Sequence, residues 1–176
     1  MDFGSKIQEL VKTLRGSEAS HKLSKELGYS YNIWSRWEDG SKNLLWDDLV
    51  LILQARGIAP ATLLKNIFGL PEELGVSSQA VISTLLSITD GKASLNENFS
   101  SQKLRRLITQ DTKLRVEDFL TILEALTGRS DRFFAMILGP EASAKLRSSV
   151  VESYIDFAGT EPLAGAVCTY LRLLQY

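Results

Sequence analysis

Tyr31, Asn32, Ser35 and Arg36 stand close together in the chain, and Lys42 and Asn43 follow just beyond Gly40. These side chains suit one kind of chemistry. The carboxamide of Asn presents an acceptor and a donor that match an adenine edge, and the guanidinium of Arg matches guanine. Lys42 and Asn43 follow with donors of the kind that hold phosphate oxygens. Catalytic and metal chemistry have far less to draw on. The chain holds one His, His21, and one Cys, Cys168, which excludes a His/Cys zinc set and a disulfide framework. Cys168 reads as a small buried apolar residue. Neither a Walker loop nor a Gly-rich nucleotide fingerprint is present. No enzyme, no cofactor and no metal are expected.

The elements that must position these residues are short helices. Leu23 and Leu27 lie one helical turn apart and pin a helix to a core. Gly28 follows, where a left-handed C-cap is wanted. Ser30 precedes the next apolar run and is expected to cap it. In that second helix Trp34 and Trp37 share the inward face, leaving Tyr31, Asn32, Ser35 and Arg36 outward. Tyr31 and Ile33 make it less polar. On an outward face Asn32 and Arg36 should be replaceable without loss of stability. Trp34, Trp37 and Trp46 are expected in the core. Apolar residues elsewhere also recur at three and four: Ile7, Leu10, Val11 and Leu14; then Leu44, Leu45, Leu49, Ile52 and Leu53; then Leu63, Leu64, Ile67 and Phe68. Breaks fall at Gly16, Gly28, Gly40, Gly57 to Pro60 and Gly69. Strand alternation is weak. The fold class is therefore all-α, a compact bundle of short helices, with about five in residues 1–70.

The pattern then restarts. Residues 30–69 lie over residues 100–139 without a gap, with identities at Ser30/Ser100, Arg36/Arg106, Leu44/Leu114, Asp48/Asp118, Ile52/Ile122, Leu53/Leu123, Ala55/Ala125, Ile67/Ile137 and Gly69/Gly139. Apolar positions match as well, which supports two copies of one module. Gln102 and Arg106 take the places of Asn32 and Arg36, and Lys103 and Arg105 add charge. Two readings of this second copy stay open: a further DNA-contacting helix using Gln102, Lys103, Arg105 and Arg106, or a duplicated unit used for packing.

The segment Leu23-Ser24, Leu27-Gly28, Tyr29, Ser30, then Trp34-Ser35-Arg36-Trp37-Glu38 and Gly40 resembles the helix-turn-helix of XRE-type, lambda-repressor-like bacterial regulators. Their pattern runs Leu-Ala, two residues, Leu-Gly, a hydrophobic residue, Ser, three variable residues, Ile-Ser-Arg-Trp-Glu, one residue, Gly. The likeness covers residues 6–57 and fades in the second copy, where Ile108-Thr109-Gln110 replaces Glu38-Asp39-Gly40. It implies a transcription regulator that binds double-stranded DNA, usually as a homodimer; a cytoplasmic place is expected from the lack of a signal peptide and of a membrane-spanning run, with one unpaired Cys. It also implies a phosphate contact at the Ser20 position and a structural ion pair between Arg15 and Glu38. The chain departs from the family in lacking the usual Gln at Ser20 and in placing the larger Trp34 beneath the reading helix.

Charge favours a rival. Residues 1–57 hold Lys6, Lys12, Arg15, Lys22, Lys25, Arg36, Lys42 and Arg56 against Asp2, Glu9, Glu18, Glu26, Glu38, Asp39, Asp47 and Asp48. A neutral module gains little from counterion release, so one copy alone should bind DNA weakly. A protein-interaction adaptor that keeps the fold without DNA binding is the alternative. The expected organisation is residues 1–70 as the helix-turn-helix domain, 71–140 as the degenerate second copy and 141–176 as C-terminal helices. Leu163, Val167, Leu171 and Leu174 form a terminal apolar stripe expected to pack on the bundle, on a second subunit or on a protein partner. No signal peptide and no membrane-spanning run is visible.

Overall fold

The apolar stripes of the first copy become five helices, and each ends within two residues of one of the expected glycines. They are α1 (Phe3–Arg15), α2 (Ser20–Glu26), α3 (Ile33–Glu38), α4 (Trp46–Ala55) and α5 (Pro60–Phe68). Four more follow: α6 (Ser78–Ile88), α7 (Ser101–Ile108), α8 (Val116–Thr127) and α9 (Ser130–Leu138). The computed structural model describes residues 3–69, 75–88, 99–109 and 111–139. Among them there is no strand. No described helix is long and apolar enough to cross a membrane. Cys168, the expected helices of 141–176 and the terminal stripe of Leu163 to Leu174 lie outside the described residues.

The repeat read from the sequence is a repeat of geometry. Helix α8 begins seventy residues after α4, and α9 matches α5 at both ends. Backbone closures recur at the same spacing: Lys42 N–H donates to the Arg36 carbonyl at 3.0 Å, and Thr112 N–H to the Arg106 carbonyl at 3.3 Å. The turn after α7 keeps this closure although the Glu-x-Gly signature has gone.

The copies meet about a local dyad. Leu45 and Arg115 form an isolated antiparallel bridge. Trp46 N–H donates to the Leu114 carbonyl and Val116 N–H to the Leu44 carbonyl, both at 2.9 Å. Leu45 and Arg115 are also the N-cap residues of α4 and α8, and neither supplies a side-chain cap. The first N–H groups of a helix lack internal partners. Here each copy caps the other's helix with a backbone carbonyl. Asp47 and Asp48 in one first turn, and Glu117 and Asp118 in the other, place acid where the two helix dipoles are positive.

One core runs through both copies. Trp46 stacks on Phe119 with ring centroids 4.4 Å apart, and Phe119 continues to Phe133 and Phe134. Helix α1 packs on α3 of its own copy and on α8 and α9 of the other. Lys6 is buried at that seam, reaching Asp131 at 3.3 Å beneath the rings of Phe3 and Phe134. Across the seam the Arg129 guanidinium donates to the Ile67 carbonyl at 2.8 Å.

Candidate nucleic-acid interface

Helix α2 stops as expected. Tyr29 N–H returns to the Ser24 carbonyl at 2.9 Å and Gly28 N–H to the Lys25 carbonyl at 3.0 Å, with Gly28 at φ +84°. That is a Schellman closure, which only a residue at ease with positive φ completes cheaply. The chain then makes a second, tighter turn. Ile33 N–H donates to the Tyr31 carbonyl at 2.8 Å across Asn32, whose φ −73° and ψ 79° mark an inverse γ-turn.

This turn delays α3 by two residues and corrects one expectation. Ser30 does not cap the helix; Asn32 does, its Oδ1 accepting from Ser35 N–H at 3.3 Å. Ile33, one of the two residues that make this helix less polar, is fully buried with Trp34 and Trp37. The three residues make one inward stripe because the helix starts at Ile33. Trp46 joins them in the core, as expected.

The Asn32 carboxamide is occupied at both ends. Its Nδ2 donates to Ser20 Oγ at 3.0 Å, and Ser24 Oγ lies 3.2 Å from its Oδ1. Buried Ser24 ties the two helices further by accepting from Trp34 N–H at 3.0 Å. Ser20 and Asn32 therefore hold α2 against α3. An adenine could be paired by Asn32 only at the expense of these bonds.

The outward face that remains carries charge and one ring. Tyr31 is 44% exposed. The Arg36 guanidinium and the Lys42 ammonium each lie 5.5 Å from its ring centroid, and Lys42 Nζ donates to its hydroxyl oxygen at 3.0 Å. The ring restricts both cations and leaves them at the surface. Ser30 and Asn43 are exposed beside them, and Ser35 is half-buried. Asp39 accepts from Ser41 N–H at 2.7 Å. Its bonds to Ser41, aided by nearby Arg36, hold its carboxyl below the ordinary range.

The helix behind this face is pinned by charge. Arg15 Nε donates to Glu38 Oε1 at 2.5 Å, and the same oxygen accepts from the Trp34 indole at 3.0 Å. This is the ion pair implied by the family resemblance. A second pair, Arg56 with Glu18, keeps the Glu18 carboxyl below its usual value, and Arg56 also lies 5.9 Å from the Trp34 ring. Tyr29 donates its hydroxyl to Asp48 at 2.5 Å. Burial first, and that bond second, push the phenol far above its ordinary value.

The second copy solves the last problem differently, and the sequence reading missed it. Phe99 stands where Tyr29 stands and has no hydroxyl, while Lys103 stands where Ile33 stands. Lys103 Nζ reaches the buried Asp118, the counterpart of Asp48, at 2.7 Å and passes 4.9 Å from the Phe99 ring. Lys103, expected on the outward basic face, is thus tied inward by a carboxylate that would otherwise be buried without a partner. The only signal in the sequence was the loss of a hydroxyl at one repeat position and the gain of a cation at another. Ser100 caps α7 by accepting from Lys103 N–H at 3.2 Å. Gln102, Arg105 and Arg106 are exposed.

Between the copies a groove of about 70 Å³ is lined by Gln8, Trp37, Gly40, Asn43, Arg115 and Glu117 among others. Among the described residues no group of three His, Cys, Asp or Glu side chains could hold a metal ion. Comparison with models of protein families, with curated proteins and with solved structures returns no match.

Proposed function

We propose that the chain binds double-stranded DNA through α2 and α3 and acts as a transcription regulator of the XRE type it resembles. The observation that carries this reading is the Tyr31–Arg36–Lys42 cluster. It leaves Arg36 on α3 and Lys42 in the loop after it oriented at the surface, beside a helix whose other face is locked by Ile33, Trp34, Trp37 and the Arg15–Glu38 pair. In this reading Arg36 pairs with a guanine edge, and Lys42, Asn43 and Ser30 meet phosphate. Tyr31 and Ser35 fill the groove between them. Ser20 and Asn32 set the angle of the two helices. The activity is binding and requires no cofactor.

The test is selection from a random duplex pool, followed by affinity measurements on the selected site. Arg36→Ala should weaken that site by roughly 1–3 kcal/mol while leaving scrambled duplex nearly unchanged. Equal affinity of wild type and variant for the selected site counts against the reading. A second reading, a protein-interaction adaptor, has its own observation. Residues 29–45 carry Arg36 and Lys42 against Glu38 and Asp39, a formal charge of zero, around a half-exposed Tyr31. Absence of any duplex enrichment in the selection favours that reading.

A further inference from the structure

The second copy is electrostatically unlike the first. Residues 99–115 hold Lys103, Arg105, Arg106, Lys113 and Arg115 against the single acid Asp111, a formal charge of +4, where the matching residues 29–45 sum to zero. Only Lys103 of these five is consumed by an ion pair among the described residues. Arg105, Arg106, Lys113 and Arg115 are all exposed.

The dyad relates this charged segment to its counterpart in the first copy. The Leu45–Arg115 bridge and its two reciprocal hydrogen bonds relate residues 44–46 to 114–116 by a local twofold rotation. The segments that lead into the bridge close alike, Lys42 N–H on the Arg36 carbonyl and Thr112 N–H on the Arg106 carbonyl, so the same local rotation relates the ends of α3 and α7. A twofold rotation leaves unchanged the component of any direction along its axis. Two helix ends related in this way lie on opposite sides of one axis, where a single duplex can meet both. That is how a dimeric helix-turn-helix protein presents its two reading helices to successive turns of one duplex.

The two faces differ in what they can do there. Around Arg36 a ring and a hydroxyl constrain the cations. In the second copy Ser101 stands in place of Tyr31, so no aromatic residue at that position orients Arg106. Unoriented cations supply attraction to phosphate without selecting a base.

We propose that a single chain grips one duplex at two places, reading bases with α3 and holding phosphates with the Gln102–Arg105–Arg106 face of α7. Its target is then an asymmetric site with one half read and the other held by charge alone. This rests on the duplex-binding reading above and adds to it. The missing half of the contact comes from the same chain, not from a second subunit. It also answers the neutrality of the first copy, because the charge that drives counterion release sits in the second.

The experiment uses the full chain, the selected duplex and a scrambled duplex of equal length, with affinities measured over a range of salt. Each phosphate contact contributes about 0.9 to the slope of log affinity against log salt. Arg105→Gln with Arg106→Gln should lower that slope by roughly 1 to 2 and weaken both duplexes by the same factor, so their ratio stays constant. Lys113→Gln, on the exposed loop, gives an independent and smaller decrement. Sedimentation should find one chain per duplex. An unchanged slope in variants with wild-type melting overturns the inference, as does a complex of two chains per duplex. If Arg36→Ala abolishes the preference for the selected site while the α7 variants leave the slope unchanged, the duplex-binding reading stands and this inference falls. If the wild type binds neither duplex, both fall.

Discussion

Replacing Asn32 by Ala removes the acceptor that caps α3 and the donor that reaches Ser20. The loss should be about 1 kcal/mol of stability, typical of a deleted side-chain cap, measured by urea unfolding. Wild-type stability in Asn32→Ala would mean that the cap does nothing. Lys103→Gln should cost roughly 1–3 kcal/mol, because a buried carboxylate loses its charged donor. Phe99→Tyr in the same background should recover part of it by giving Asp118 the hydroxyl that Asp48 already has in the first copy. No recovery would show that the Lys103–Asp118 contact is not what holds this corner. At this scale the sequence showed what depends on type and period. Buried Trp34, Trp37 and Trp46 and exposed Arg36 follow from helical spacing alone. The roles of Asn32 and Lys103 were hidden because each depends on one other atom: a carbonyl that starts a γ-turn early, and a hydroxyl that Phe99 lacks.

The helices themselves were legible because glycine marks where they end. Gly40 shows what such a residue does. It lies at φ +75°, and an added Cβ would stand 2.2 Å from Gln8 Nε2. That atom is the far end of a flexible side chain and can move away. The backbone conformation cannot, so Gly40→Ala should cost roughly 1–2 kcal/mol through the left-handed geometry itself. Adding Gln8→Ala should not restore the loss in chemical denaturation; if it does, the contact and not the backbone sets the cost. Helix α3 has six residues, too few to persist on propensity. It exists because its three buried side chains and its two ends are all held. Its true start was not readable, since Ser30 and Asn32 are both good capping residues and only the turn between them decides.

Across the molecule, the two copies complete one another. The repeat was visible in aligned residues, but the mutual capping of α4 and α8 was not, because it joins backbone to backbone and leaves no mark on side-chain type. Residues 1–70 expressed alone would uncover the Trp46 ring where it meets Phe119, and would leave the Trp46 N–H without its Leu114 acceptor. That fragment should fail to remain a folded monomer, seen as self-association in gel filtration or as loss of helical circular dichroism. A monomeric fragment that melts like the full chain would show that the copies are independent. For the full chain the shared core predicts one cooperative transition in which both copies unfold together.

Both sides of the Leu45–Arg115 bridge belong to the same polypeptide, so pairing the copies carries no concentration term. A protein paired from separate chains falls apart on dilution, and its active form grows with the square of its abundance. Here the pairing survives at one molecule per cell. The midpoint of thermal unfolding should be the same at any protein concentration, and the amount of paired protein should rise in simple proportion to the number of chains made.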